Sequence, residues 1–196
     1  MGIESAKSGK LLYHLTKLKN LPSIFENGLV ARQTLLENRA AFDDIADSEI
    51  ISKRTQLGLD KYVPFHFHPF SAFDVAVKST YGNDEFVYIC ISRDGARFNK
   101  FKILPMHPLS MQDCALYEYD EGFGIIDWDV LTQKGLSDEY SKRVKMAECL
   151  TDLVIPAAYF QSIAVKNEQT KEIVEELCRK YNLKPNSPYV NIRTWF

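Results

Sequence analysis

The sequence predicts a mixed α+β fold, one domain in which helices flank a central twisted sheet. Three observations carry the prediction. FVYICIS, residues 86–92, is an unbroken apolar run of strand length, suited to a central position covered on both faces. QTKEIVEELCRKYN, residues 169–182, repeats apolar residues at helical spacing along one face. LLYHLT, residues 11–16, reads as a strand and leads within a few residues into LPSIFENG, residues 21–28, a short helix.

The remaining elements follow in chain order. Residues 1–10, MGIESAKSGK, are small and polar and read as a flexible lead-in to a domain spanning 11–196. The LPSIFENG helix has Asn20 as its expected cap, Pro22 in its first turn and Gly28 as its stop. From Arg32 to Leu59 scattered apolar residues in a polar background predict one or two surface helices. VPFHFHPF is extended until Pro69 breaks it. Residues 98–136, punctuated by Pro105, Pro108, Gly122 and Gly124, read as a long irregular segment, the kind that is functional when ordered. SKRVKMAECL begins as a helix or turn and runs into LTDLVIP; IAVKN is a short strand and YVNIRTWF a terminal one.

Composition excludes several function classes. A chain of 196 residues with 45% hydrophobic and 26% charged residues suits one globular domain rather than disorder. The formal net charge of -2 provides no global field for a polyanion, so nucleic-acid binding would rest on a local cluster. Cys90, Cys114, Cys149 and Cys178 form no CxxC pair, and no leader-like N-terminus is evident. Those features predict reduced thiols and a cytoplasmic setting. No apolar run approaches the roughly 20 residues that span a bilayer.

Few residues stand out as carriers of chemistry. His66 and His68 share one side of a strand, and His107 or Cys114 would complete a metal site, but aromatic-flanked histidines with no close second ligand pair read better as packing residues, and no metal is expected. No cysteine is marked as an activated nucleophile. Glu148, in KMAECLTDLVIP, enters an apolar run where desolvation would raise its pKa, though it reads equally as a surface glutamate. Arg54, in EIISKRTQLG, reads alone as a solvated charge on a helix of mixed sign.

The order of the pieces adds what none supplies alone. YHLTKLKNLPSIFENGL, KYVPFHFHPFSAFD, IIDWDVL, MAECL and VNIRTWF together resemble the DarT family of DNA ADP-ribosyltransferases from about Leu12 to Phe196. The resemblance implies an ADP-ribosyltransferase-like fold that cleaves the nicotinamide bond of NAD, a co-substrate, and moves ADP-ribose onto a base of single-stranded DNA. It also implies a toxin held in check by a macrodomain (DarG-like) antitoxin, here expected to act as a monomer. His14, Leu15, Thr16 and Ser23 would hold NAD, Arg54 would take the active-site arginine position and also contact NAD, and Glu148 would be the catalytic glutamate. His107 and Lys145 would meet the DNA, in a basic strip with Lys100, Lys102, Lys142 and Arg143. His14 and Thr16 share one strand face, where imidazole and hydroxyl can fix ribose hydroxyls.

The sequence departs from the family pattern at His66, Phe70, Ser71, Lys145 and Met146, which leaves the target base open. A transferase of the same fold acting on RNA, protein or a small molecule, and a catalytically silent NAD- or nucleic-acid-binding module, remain as alternatives.

Overall fold

The structure, a computed structural model, describes residues 3–46, 48–82, 85–107, 115–136 and 138–196. Eight strands form one sheet: β1 (Leu11–Lys17), β2 (Val63–His66), β3 (Phe86–Ser92), β4 (Lys102–Leu104), β5 (Tyr117–Glu118), β6 (Glu148–Thr151), β7 (Ser162–Val165) and β8 (Tyr189–Ile192). Their order across the sheet is β5-β4-β6-β2-β1-β3-β7-β8. Every neighbouring pair is antiparallel except β7 and β8, which are parallel and joined through α9 (Glu168–Lys180). The other helices are α1 (Leu21–Asn27), α2 (Arg32–Glu37), α3 (Ser48–Gln56), α4 (Ala72–Thr80), α5 (Arg93–Phe98), α6 (Tyr119–Ile125), α7 (Trp128–Thr132) and α8 (Glu139–Val144).

The alternation of side chains along β3 shows why its run is continuously apolar. Val87, Ile89 and Ile91 enter the larger core, with α1, α6, α7 and α9. Phe86, Tyr88 and Cys90 enter a smaller core on the opposite face, closed by Val77 of α4 and by Trp195 and Phe196. A strand covered on both faces has no place for a polar alternation.

The sheet is also nearly divided. β1 pairs with β3 at seven positions, from Leu11↔Ser92 to Lys17↔Phe86, and β2 with β6 at four, from Val63↔Thr151 to His66↔Glu148. Between β1 and β2 the register holds at one position, Tyr13↔His66. Pro64 explains the parting. In a strand, a residue's N–H and C=O point to the same side, and the Pro64 carbonyl faces β1, where His14 Nδ1 lies 2.8 Å away. The missing proline N–H is therefore on the β1 side, and no backbone ladder can continue there.

Residues 3–10 leave Glu4, Lys7, Ser8 and Lys10 exposed, but Ile3 and Ala6 are buried, and the buried Arg93 guanidinium donates to Lys7 O, Leu11 O and Phe67 O. Two local expectations are corrected. Asn20 holds the N-cap position of α1 but makes no side-chain capping bond; a 3-10 turn over Leu18–Asn20 precedes the helix, and the Asn20 amide instead exchanges hydrogen bonds with the backbone of Asp43. The segment 98–136 holds β4, β5, α6 and α7, with Pro108–Cys114 outside the described residues. Its glycines hid α6, because low helix propensity there is outweighed by packing: Trp128 lies between Phe67 and Phe123 and donates Nε1–H to Phe123 O.

Gly122 lies so close to β4 that an added Cβ would meet Ile103 Cβ at 2.4 Å and Tyr117 Cβ at 2.9 Å. Gly122→Ala is expected to lower unfolding free energy by about 1–3 kcal/mol, the usual cost of overpacking. Urea unfolding checks this, and an unchanged midpoint would contradict the packing described.

Candidate active site

The parting of β1 from β2 opens a cleft with a cavity volume of ≈ 200 Å³. Two sets of side chains meet in it. His14 and Thr16 project from the face of β1 that carries Leu12, whereas His66 and Glu148, paired in register, project from the opposite face of the sheet. In an unbroken sheet the two sets would be separated by the backbone layer.

Arg54 and Glu148 form the centre of the site. Arg54 reaches across from the last turn of α3, and its Nη1 donates to both carboxylate oxygens of Glu148, at 2.9 and 2.8 Å. The carboxylate is buried, with Glu148 5% exposed. Desolvation alone would raise its pKa, as the sequence suggested. The structure reverses the sign: the Arg54 charge, His66, the Arg54 hydrogen bonds and His107 outweigh burial and hold the group below the usual carboxylate range. Glu148 is thus an anion at neutral pH, and Arg54 is its counter-ion.

On the other side of the cleft, burial pushes the His14 imidazole down to about 4, against the opposing effect of its hydrogen bond to Pro64. A carbonyl only accepts, so Nδ1 carries the hydrogen and Nε2 presents a lone pair. Thr16 Oγ1 accepts from Asn20 Nδ2 at 3.2 Å, and Asn20 pins Asp43 beside it. Ser23, in the first turn of α1, and Leu15 also line the cleft, although the Leu15 side chain belongs to the smaller core. Asn20 and Asp43 were not legible as cleft residues, because the contact joins positions 23 residues apart through a loop.

His107 lines the same cleft, with its backbone N–H donated to Arg143 O at 2.9 Å. Burial lowers its pKa, and the Glu148 charge opposes that shift. Lys145 is not brought to the cleft: its Nζ donates to Leu136 O at 3.0 Å. His66 and His68 do not act as a pair. His66 Nδ1 is 3.3 Å from Ala147 O and lines the cleft, while both ring nitrogens of His68 are engaged, with Lys145 O and Phe70 N. Among the described residues no three His, Cys, Asp or Glu converge as a metal site; Cys114 lies outside them. Cys90, Cys149 and Cys178 are buried, and burial pushes all three thiols up, away from nucleophilic use.

The cleft therefore offers an ionised carboxylate, its guanidinium partner, a neutral imidazole with a free acceptor and a hydroxyl. A family model described as "ssDNA thymidine ADP-ribosyltransferase, DarT" matches residues 13–196. Among solved structures, Thermus sp. 2.9 DarT in complex with ADP-ribosylated ssDNA is 22% identical, with a TM-score of 0.79 and 95% of each chain covered. The same Thermus protein in complex with NAD+ is 22% identical, with a TM-score of 0.74, covering 94% of this chain and 95% of that one. Thermosipho africanus DarTG in complex with ADP-ribose is 21% identical, with a TM-score of 0.74 over 93% of this chain and 50% of that longer chain. At these identities the likeness to the solved structures shows a shared fold. No curated protein matches the chain.

The shifts at His14 give a signed pH dependence. Between the ordinary imidazole value of 6.5 and about 4, the unfolded chain binds a proton at His14 that the folded chain refuses. Stability is expected to fall as pH drops through that window, by at most about 1.4 kcal/mol per pH unit from this group. The Glu148 contribution has a different window: it is present above the ordinary carboxylate range and is lost only as pH falls through the lowered folded value. Urea unfolding of wild type and His14→Gln at pH 7, 5.5 and 4.5 should show a shallower decline in the variant. Parallel declines would remove His14 as the source.

Proposed function

Because the chain belongs to the DarT family of ssDNA thymidine ADP-ribosyltransferases, we propose that it transfers ADP-ribose from NAD to a thymidine base of single-stranded DNA, using the cleft around Glu148. One observation carries the assignment of the site: Glu148 is buried yet ionised, across a split sheet from a neutral His14. NAD is consumed here as a co-substrate, and the donors and acceptors of the cleft suit it. His14 Nε2 accepts from a ribose hydroxyl, Thr16 and Ser23 line the same side, and Leu15 fixes β1 between them from the core beneath.

The chemistry asks little covalent work of the protein. The bond between ribose C1′ and nicotinamide nitrogen breaks with its electron pair going to nicotinamide, which leaves as a neutral molecule. Positive charge then develops at C1′ in an oxocarbenium-like transition state. A preformed anion aimed at that centre stabilises the developing charge more than the ground state, which is the condition for acceleration. Glu148 is such an anion. N3 is the one ring nitrogen of thymine that still carries a hydrogen; as N3 bonds to C1′, that hydrogen leaves as a proton. Arg54 carries no lone pair to receive it while it is a guanidinium. Its role is to keep Glu148 ionised and oriented, and the proton passes to solvent or to the His107 imidazole, whose pKa burial lowers.

The Thermosipho africanus DarTG likeness supports a toxin whose modification a DarG-like macrodomain antitoxin removes. No helix of the described residues is long and apolar enough to cross a membrane, and a cytoplasmic site of action fits a DNA substrate.

Incubating the protein with labelled NAD and single-stranded oligonucleotides should place label on thymidine-containing strands, with the modified base identified by mass spectrometry. Glu148→Gln should lose about 100- to 1000-fold in transfer rate, the scale of removing one preorganised electrostatic contact, while NAD still binds. Label appearing on RNA or protein and never on DNA, or an active Glu148→Gln enzyme, would overturn the corresponding half of the proposal.

A further inference from the structure

Arg143 lies in the last turn of α8, five residues before Glu148 in the chain. Its carbonyl accepts the His107 N–H at 2.9 Å, which ties the arginine to a residue of the cleft. The guanidinium itself has poor company. Nη2 lies 3.5 Å from Met106 Sδ, a weak acceptor, and Nε is buried with no hydrogen-bond partner among the described residues. Among the described residues no carboxylate forms an ion pair with it. Asp138 accepts from Ser141 and Asp127 from Tyr140 and Val130, while Glu139, one turn earlier on α8, is exposed and forms no ion pair with Arg143 among the described residues.

The contrast with the other cations of the basic strip is informative. Lys102 is paired with Glu118, whereas Lys145 donates to Leu136 O and keeps its charge, and Lys100 and Lys142 form no ion pair among the described residues. A buried donor without an acceptor is costly, and a guanidinium presents a planar fork whose natural complement is a pair of anionic oxygens. From this we infer that Arg143 receives a phosphodiester oxygen of the DNA strand, and so sets which nucleotide is presented beside His107 and Glu148. This rests on the DNA-directed function proposed above and deepens it with a specific anchoring residue. The thioether of Met106 lies beside the guanidinium without neutralising its charge.

Fluorescence anisotropy with a labelled thymidine-containing single-stranded oligonucleotide, in the absence of NAD and over a range of salt, tests the inference on wild type, Arg143→Gln and Arg143→Lys. Arg143→Gln should weaken binding about tenfold, the scale of a lost charged hydrogen bond. The slope of log K against log salt should become shallower by about 0.7, the value for one phosphate contact on a single strand. Arg143→Lys should keep the wild-type slope and recover only part of the affinity, because a point charge lacks the fork. NAD binding, followed by its thermal stabilisation of each protein, should be the same in all three. An Arg143→Gln protein with unchanged affinity and slope would overturn the anchoring role alone. A variant that lost NAD and oligonucleotide binding together would mark Arg143 as structural and overturn it too. Wild type that consumes NAD but binds no single-stranded DNA would overturn both this inference and the DNA-directed function.

Discussion

Pro64 has no N–H to offer β1, and the carbonyl it turns toward that strand is taken by the His14 imidazole at 2.8 Å. Two of the molecule's features follow from that substitution of a side chain for a backbone partner. The sheet stays continuous through Tyr13↔His66 but splits beyond it, so groups from opposite faces share one gap. The same hydrogen bond fixes the tautomer of His14 and leaves its second nitrogen as an acceptor. A regular strand residue at position 64 could restore the ladder, close the gap and bury the imidazole behind backbone. The cleft is thus a consequence of how the sheet is prevented from closing.

The electrostatics of the gap depend in turn on α3. Glu148 sits at the start of β6, nearly enclosed, where an isolated carboxylate would take up a proton. Arg54 cancels that tendency by placing one nitrogen between both oxygens, and its second nitrogen lies 3.5 Å from Leu59 O. Removing one member of such a pair costs far more than the pair itself contributes, because the survivor is left charged and desolvated. Stability and chemistry therefore pull on the same two side chains. The arrangement keeps a carboxylate ionised where substrate charge would develop, and it does so without metal ligands among the described residues.

Much of the sheet was legible in the sequence because its signals are local. FVYICIS, LLYHLT and the α9 segment have periods and lengths that decide their structure without tertiary help. The elements that escaped are those held by distant contacts. In α6, two glycines argue against helix, and only the ring of Trp128 against Phe123 and the tight seat of Gly122 on Ile103 make it one. Asn20 looked like a cap because position and residue type suit a cap, yet its amide is drawn to Asp43 by a loop no periodicity describes. The site was legible in its members and not in its charges. His14, Arg54 and Glu148 were found through a joint motif pattern, but the sign of the Glu148 shift depends on a guanidinium 94 residues away in sequence. Lys145, equally basic on paper, donates to Leu136 O and does not line the cleft, a placement that no local pattern shows.

A formal charge of -2 means that the protein does not draw DNA in from a distance. Recognition must then come from short-range contacts made by cations that the fold has not already neutralised. Among the described residues several cations are paired with acids: Arg32 with Asp44, Arg97 with Asp120, Lys102 with Glu118, Lys134 with Glu4. A nearly neutral surface beside a narrow cleft favours a flexible strand over a duplex. A single strand can bring one phosphate to a fixed cation while turning its base into the gap between β1 and β2. A duplex would have to break a stacked pair to do the same, with no large field to offset the cost. The physical preference for single-stranded substrate thus follows from charge economy at the surface as much as from the shape of the cleft.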